Sequence, residues 1–526
     1  MPVATGGPRT VPEAPLATTR ERPVPFGQFI PVSRFIPFGQ FIVKAHGRCN
    51  LACRYCYLYA GPDRTWRERP AAASPAVLDR TADRIAEHAA AHSLSEISLV
   101  LHGGEPLLAG AGRLAAFAGL VRERVGPGRT VHATVQTNAT LLTEARIATL
   151  ARHSIRVGIS LDGGLPAHNA LRVDHAGRPS WPAAARGARL LAAHHPEAYA
   201  GILTVVDPRT DPVEMYESLL ALRPPALDLL LPHGNWTTPP PGLPGGDPDG
   251  RIMGTNRPTP YGDWLCAVFD RWWRAGRRET RIRLFEECVA LLLGLPGATE
   301  SLGLDPVNAI VVETDGAIEQ VDSLKSAYDT AAATGLDIFR HTFDDALRHP
   351  GVAARQAGAG ALAAVCRACP LLTVCGGGHY AHRYRAGHGF AHPSVYCADL
   401  DRLVRHVATA LTEAATTATL AATTAPATAV TTPATAPPAT VRPATVRPAT
   451  VRPATVRPAT VRPATARPAT ARPATARPAT APPATARPAT APPATAPPAV
   501  GTATSPIAVP TATTTTAATT ATGGAR

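Results

Sequence analysis

From about Ala414 to Arg526 the chain is built almost entirely from Ala, Thr, Pro, Arg and Val, in the pentads Val-Arg-Pro-Ala-Thr, Ala-Arg-Pro-Ala-Thr and Ala-Pro-Pro-Ala-Thr. Proline recurs there too often for helix or sheet ladders, and no aromatic residue follows Tyr396. Such a tract cannot bury enough apolar surface to offset its ordering entropy, so residues 414–526 are expected to be a disordered tail. Of the 526 residues, only those before it are available to a core.

The tract also distorts the charge. The formal net charge is 52 − 39 = +13, but ten Arg and no acid lie after Glu413, leaving the body at 42 − 39 = +3. A basic balance of this size ordinarily points to nucleic acid; here most of it belongs to the tail. No run of about eighteen apolar residues is present, so no membrane span is expected, and Met1 to Pro25 lacks the apolar centre of a signal peptide. The expectation is a cytoplasmic protein. In that setting nine cysteines read as metal ligands or catalysts before disulfides.

Pro-Phe-Gly-Gln-Phe-Ile occurs at Pro25 to Ile30 and again at Pro37 to Ile42; two copies are too few for a solenoid, and only the second is expected to feed the fold. Short apolar runs then alternate with longer helical patterns. Strands are predicted at Phe41 to His46, Ile97 to His102, Val131 to Gln136, Val157 to Leu161, Ile202 to Val206 and Leu227 to Leu231. Helices are predicted at Ala76 to Ala91, Arg113 to Val125, Thr143 to Arg152, Ala183 to Ala193 and Pro212 to Leu222, and then at Trp264 to Ala275 and Ile282 to Leu293. This alternation implies an α/β fold of parallel strands joined by right-handed crossovers. Six strands are too few to close, so an open, partial (β/α)6 barrel of the TIM type is expected, with its chemistry at the strand C-termini. A smaller region follows, with a hairpin from Ala309 to Val321 turning at Thr314-Asp315-Gly316. The expected organisation is an irregular extension over 1–40, the core and its following helices over 41–296, a smaller cysteine-bearing domain over 297–405, and the tail.

Cys49, Cys53 and Cys56 form Cys-x3-Cys-x2-Cys directly after the first strand. Three thiolates on one loop can hold three irons of a cubane and leave the fourth open. A zinc site completed by a distant residue and three unrelated buried cysteines are the other readings of the spacing. The surrounding phrases narrow the choice: Tyr55 precedes the third cysteine, and the next strands end in His102-Gly103-Gly104-Glu105-Pro106, Gln136-Thr137-Asn138 and Ser160-Leu161-Asp162-Gly163. Together they resemble the radical S-adenosylmethionine (SAM) enzymes over about Phe41 to Leu400.

The resemblance implies a 4Fe-4S cluster on Cys49, Cys53 and Cys56, with SAM chelating the fourth iron. It places Tyr55 beside the adenine and the turn Gly103-Gly104-Glu105-Pro106 along the methionyl end, where a Cβ on either glycine would obstruct the amino group. Ser160 becomes a ribose partner and Arg172 a planar fork for the SAM carboxylate. Read alone, Ser160 serves as well as a strand-end cap, Arg172 as a solvated surface charge and Glu105 as a helix cap.

A second set reads Cys366-x2-Cys369-x5-Cys375, with Cys397 twenty-two residues on. It resembles the C-terminal SPASM extension of peptide-modifying radical SAM enzymes, in which two auxiliary clusters are usual. The pattern departs here: His379 stands where a cysteine is expected after Gly376-Gly377-Gly378, and Val321 where one is expected five residues after Gly316. The resemblance therefore implies one auxiliary 4Fe-4S cluster on Cys366, Cys369, Cys375 and Cys397 and loss of the inner one, with zinc in these four thiols as the alternative. His379 is taken as an ordinary polar residue. Cys266 and Cys288 read as core, and the Trp272-Trp273 pair as core or interface.

Further phrases narrow the family: Phe41-Ile42-Val43-Lys44, Pro232-His233-Gly234-Asn235-Trp236, Glu313-Thr314-Asp315-Gly316, Val321-Asp322-Ser323-Leu324-Lys325 and Pro393-Ser394-Val395-Tyr396-Cys397. They resemble the FxsB-type radical SAM/SPASM maturases, which install cyclophane crosslinks in ribosomal precursor peptides by joining an aromatic ring carbon to a side-chain β-carbon. The resemblance implies cleavage of SAM, hydrogen abstraction from a peptide β-carbon and addition of the carbon radical to a ring. It also implies an external one-electron donor of flavodoxin or ferredoxin type, and Asp322 as the proton acceptor. A sulfatase-maturating enzyme that makes formylglycine is the alternative among enzymes. A zinc-stabilised nucleic-acid-binding protein is the alternative outside them; the tail arginines lack interleaved aromatics, so no specific nucleic-acid readout is expected.

Truncation after about Glu413 is expected to leave folding and cluster content unchanged and to alter only solubility or non-specific binding to polyanions. Circular dichroism and iron analysis of the truncated chain check this; loss of the clusters would show that the pentads pack on the body.

Overall fold

The computed structural model describes residues 35–244, 257–297 and 299–424. The first copy of the repeated phrase and everything after Thr424 lie outside the described residues. In chain order the core runs β1 (Gln40–His46), α1 (Pro75–Ala91), β2 (Glu96–Gly103), α2 (Ala111–Val125), β3 (Thr130–Thr137), α3 (Glu144–Arg152), β4 (Ile155–Ser160), α4 (Trp181–His194), β5 (Tyr199–Val205), α5 (Pro212–Leu220) and β6 (Ala226–Leu230). Then come α6 (Pro260–Trp273), β7 (Arg281–Ile282), α7 (Arg283–Leu292), β8 (Ala309–Val312), β9 (Ala317–Glu319) and β10 (Ala333–Asp337). Five helices follow: α8 (Phe343–Leu347), α9 (Pro350–Gln356), α10 (Ala364–Arg367), α11 (Leu372–Cys375) and α12 (Cys397–Thr424).

All ten strands form one sheet in the order β10-β9-β8-β1-β2-β3-β4-β5-β6-β7. Neighbours from β1 to β7 are parallel, as expected of strand–helix alternation, and the sheet stays open. Two parallel strands enlarge the expected six. β7, of two residues, is too short to show a period, and β8 joins from beyond the core, pairing Gln40 to Val43 with Ala309 to Val312. The predicted hairpin is β8–β9, and β10 extends it antiparallel. The cysteine-bearing C-terminal region is thus hydrogen-bonded into the core sheet through its first strand.

In β2 successive side chains alternate between the two faces of the sheet. Leu99 and Leu101 are buried, while Ser98 and His102 line a central cavity that Gln40 and Ile42 of β1 also line. The helices begin where local chemistry starts them. Ser74 Oγ accepts from Val77 N–H ahead of Pro75, Thr143 from Arg146, and Asp211 from Glu214 ahead of Pro212. α1 then buries Val77, Ala82, Ile85 and Ala89 along one stripe.

The tail boundary shifts. The sequence reading ends order at Ala414, but α12 continues to Thr424. Alanine is the best helix former, the first proline is Pro426, and the hydroxyls of Thr412, Thr416 and Thr417 donate to carbonyls four residues back. At its other end α12 packs on α6, and Asp399 accepts from Tyr261 and Gly262 N–H at 2.9 and 2.8 Å.

The second copy of the repeated phrase enters the core. Phe38 and Phe41 are fully buried, Phe41 lies 5.0 Å from the Phe343 ring, and Phe38 N–H donates to His88 Nε2. Phe38→Ala is therefore expected to cost about 3–5 kcal/mol, read as a lowered denaturant midpoint. A loss below about 1 kcal/mol would mean this copy is no more than a surface strap.

Candidate functional site

The cysteine loop sits at the C-terminal ends of β1 to β4, and each strand contributes to holding it. Gly104 N–H donates to His46 O and Glu105 N–H to Arg48 O; Ala52 and Arg54 N–H reach Val173 O and Leu171 O. Cys49 Sγ accepts from Leu51 N–H at 3.4 Å and from Asn138 Nδ2 at 3.7 Å. Burial pushes all three thiols up, Cys49 to about 11, while the Arg172 guanidinium pulls Cys53 and Cys56 down. Three partly exposed thiols on one loop, one with N–H donors already aimed at its sulfur, fit three irons of a cubane.

Around the loop the structure gives each expected SAM contact a definite partner. Tyr55 hydroxyl donates to Asp162 and accepts from Arg172 Nη1 at 2.6 Å, and Arg172 lies 3.6 Å from Asp162. Arg172 is only 7% exposed, which removes the reading of a solvated surface charge. Glu105 caps the turn after β2: Leu107 N–H and Thr137 hydroxyl donate to one oxygen and Asn138 N–H to the other. Pro106 occupies the first position of that turn. Ser160 accepts from Gln136 Nε2 at 2.9 Å across the β3–β4 strand ends.

Gly103 and Gly104 are required by the protein's own packing as well. A Cβ on Gly103, whose φ is +143°, would lie 2.1 Å from His46 O, and one on Gly104 2.1 Å from the Tyr59 hydroxyl. The obstruction is the cysteine loop itself; these glycines let β2 close against it.

Cys366, Cys369, Cys375 and Cys397 line one pocket with Val365, Leu372 and Pro393. Their proximity shows in their titration: burial, then Cys375 and Cys366, push Cys397 up to about 12. Four thiols around one apolar pocket fit a fully thiolate-ligated cluster or a zinc ion. The preceding glycines make this turn possible. Gly376 has φ +59°, and a Cβ there would fall 1.5 Å from Gly303 O. Arg383 is buried inside the turn and donates to the carbonyls of Gly376, Gly377 and Gly378. Cys266 and Cys288 are core residues as read, and Trp273 stacks on Phe269.

A cavity of about 900 Å³ has a lining that includes Tyr57, His102, His233, Asp322, His379 and His382. Asp322 is held in a buried network. Lys44 Nζ lies 2.6 Å from Glu313 and 2.7 Å from Asp322; Lys325 Nζ lies 2.5 Å from Glu313, 2.8 Å from Glu319 and 3.4 Å from Asp322. Arg69 adds Glu313 at 3.0 Å and Glu319 at 2.5 Å. Although burial opposes it, Lys44 and Lys325 hold the Asp322 and Glu313 carboxyls below their usual range, so both are ionised. In the same lining His233 Nδ1 lies 3.1 Å from His382 Nε2, and His379 stands beside both. Burial brings His233 down to about 4 and holds His379 and His382 well below the usual imidazole range. Neither the Lys44 network nor the histidine group is readable from sequence, because their members come from β1, the end of β6 and the C-terminal region.

Residues 43–219 match the Radical SAM superfamily. The chain is similar to the serine-type anaerobic sulfatase-maturating enzymes of Bacteroides thetaiotaomicron (25% identity over 288 residues, 52% of this chain and 66% of that protein) and Klebsiella pneumoniae (33% over 183 residues, 35% and 42%). It is also similar to the cysteine-type enzyme of Clostridium perfringens (30% over 169 residues, 32% and 44%). The chain thus spans two-thirds or less of the length of these curated relatives. Among solved structures, native anSMEcpe with bound AdoMet shares the fold, with a TM-score of 0.59 at 23% identity over 72% of this chain and 99% of that one. The match takes in Cys49, Cys53 and Cys56 and the ends of β2 to β4, and the likeness to the solved structure is one of fold. Among the described residues no helix is long and apolar enough to cross a membrane.

The Lys44 network makes a pH-dependent contribution of definite sign. Glu313 and Asp322 titrate below their unfolded values, so their stabilisation is complete above the ordinary carboxylate range and is lost as pH falls through the folded values. Lys44→Met is expected to cost about 3–5 kcal/mol at neutral pH and to move the acid-unfolding midpoint upward. Circular dichroism against pH checks it; an unchanged acid midpoint would show that the network is not electrostatically coupled to folding.

Proposed function

We propose that the chain is a peptide-modifying oxidoreductase of the sulfatase-maturating type, oxidising a Cys or Ser side chain of a polypeptide to the formylglycine aldehyde. The observation that carries this reading is an ionised, fully enclosed carboxylate, Asp322, on a cavity of about 900 Å³ near the cysteine loop, in a chain whose curated relatives are named for sulfatase maturation. Bound at Cys49, Cys53 and Cys56, the cluster together with SAM supplies a radical able to take a hydrogen atom from an unactivated carbon. Oxidation of a serine side chain removes one hydrogen atom, one proton and one electron in all.

This chain's own part is the proton and the placement. Lys44 and Lys325 hold Asp322 Oδ1, and their positive charges keep the carboxylate ionised until the substrate arrives; the proton would be accepted at the other oxygen, Oδ2. Tyr57, buried beside the His233 ring, walls the cavity. Arg172, fixed by Asp162 and Tyr55, presents its remaining donors on the side of the cysteine loop, where a SAM carboxylate would be received. The electron acceptor would be an auxiliary cluster held by Cys366, Cys369, Cys375 and Cys397; an external flavodoxin- or ferredoxin-type protein would supply the first electron.

A second reading, cyclophane crosslinking, is favoured by one observation. Val321 and His379, where the fuller SPASM pattern has cysteines, both line the cavity, so this wall differs from a thiolate-lined one. Both products of a serine or crosslinked peptide weigh two hydrogens less, and only the aldehyde reacts with a hydrazide.

The test uses the anaerobically reconstituted full chain with SAM, a reductant, and peptides bearing Cys or Ser in a sulfatase-type sequence or an aromatic ring near an aliphatic residue. A hydrazide-reactive product is expected, with Asp322→Asn slowing its formation by roughly 100-fold or more while SAM cleavage persists. A mass loss without hydrazide reactivity would replace this reading by crosslinking. Replacement of Cys49, Cys53 and Cys56 by Ala should abolish SAM cleavage and leave the auxiliary iron; continued cleavage would end both readings.

A further inference from the structure

The cavity that Asp322 lines also carries a second arrangement of donor atoms that the reaction above does not use. His233, His379 and His382 each present a ring nitrogen, and the three atoms lie within 4.8 Å of one another. The rings form a closed triangle, with centroid separations of 5.2 Å for His233–His379, 5.3 Å for His233–His382 and 4.9 Å for His379–His382. All three line the same cavity.

Each ring is fixed by structure that is rigid for other reasons. His233 follows β6 on a segment whose Pro232 carbonyl accepts from the Tyr396 hydroxyl at 2.7 Å, and Asn235 and Trp236 tie that segment to Ser326 and Pro393. His379 and His382 share one short turn, His382 N–H donating to His379 O at 3.1 Å, and the neighbouring Arg383 locks the three glycine carbonyls before it. The imidazoles are therefore held in place by their surroundings.

From this geometry we infer that His233, His379 and His382 bind one divalent transition-metal ion of the zinc type, with its remaining coordination position open to the cavity. Three imidazoles and one open position are the donor set of catalytic rather than structural zinc sites. The polar contacts the ion would replace are modest. They are the 3.1 Å His233–His382 hydrogen bond, a 3.3 Å hydrogen bond from Ala381 N–H to His379 Nδ1, and the approach of Glu300 to within 3.9 Å of His379 Nε2. A water or substrate atom at the open position would face the same cavity as Asp322. The ion would then polarise an oxygen or sulfur of the substrate next to the carboxylate that takes its proton. The metal site itself does not depend on which peptide oxidation the enzyme performs.

The four thiols of the auxiliary set also suit zinc, so the measurement must tell nitrogen from sulfur. The full chain, with its clusters reconstituted anaerobically, is equilibrated with micromolar zinc, and bound zinc is counted and examined by X-ray absorption at the zinc edge. One zinc per chain is expected, surrounded by nitrogen and oxygen at about 2.0–2.1 Å without sulfur near 2.3 Å. His233→Gln and His382→Gln should each weaken zinc binding by more than about 100-fold, beyond the loss typical of outer-shell partners, with iron content and circular dichroism unchanged. Should either variant lose its fold, His379→Gln, on the more exposed ring, repeats the measurement. Absence of stoichiometric zinc, a sulfur shell, or undiminished binding in folded variants would each overturn the assignment. Because no substrate is present, an inactive enzyme that binds zinc refutes the oxidation reading and leaves this one standing.

Discussion

The structure hangs on one charged amine, Lys44. It sits two residues before the end of β1, is almost wholly buried, and bridges Glu313 after β8 to Asp322 after β9. A lone ammonium could not remain there; the buried carboxylates of Glu313, Glu319 and Asp322 and two further cations, Lys325 and Arg69, complete the network, with the more exposed Asp315 at its edge on Arg69. Because its members come from the first strand of the core and from the C-terminal hairpin, the network fixes the two regions at their shared sheet. It thereby also fixes the cavity wall that carries Asp322. Charge pairing here is a positional device: apolar contacts would close the same gap without specifying which oxygen faces the cavity.

Much of the architecture was legible in the chain because its elements obey simple periods. Alternation in β2 and the stripe of Val77, Ala82, Ile85 and Ala89 in α1 announce a strand and a helix, and capping by Ser74, Thr143 and Asp211 brings predicted starts close to observed ones. The elements not read were those with no period to show. β7 has two residues, and β10 is a half-buried edge strand. Ala-Thr repetition after Glu413 looked like tail, yet lacks the proline that ends a helix until Pro426.

The site divides in the same way. Both cysteine sets were visible because their members are close in sequence and their residue type is scarce. The partnership of Tyr55, Asp162 and Arg172 was not, since it unites the cysteine loop, the end of β4 and the segment beyond it. His233 and His382 meet across 149 residues, and a lone histidine in each place carries no signal of the other. Gly103 shows a subtler limit: the residue type was noticed, but whether the crowding comes from a ligand or from the protein's own backbone is a three-dimensional fact.

The last helix imposes an order on biosynthesis. Cys397 is its first residue, while Cys366 lies on α10, Cys375 ends α11 and Cys369 sits between them, so the four-thiol pocket is incomplete until α12 has left the ribosome and docked on α6 through Asp399. Cys49, Cys53 and Cys56, by contrast, emerge among the earliest residues of the core. The two cysteine sets are thus separated in time as well as in space: three thiols near one end are exposed throughout synthesis, and the four near the other assemble only at its close. A nascent chain stalled before Cys397 would present an open, three-thiol half-site to the cell's iron and sulfur carriers, a state that the finished protein never shows.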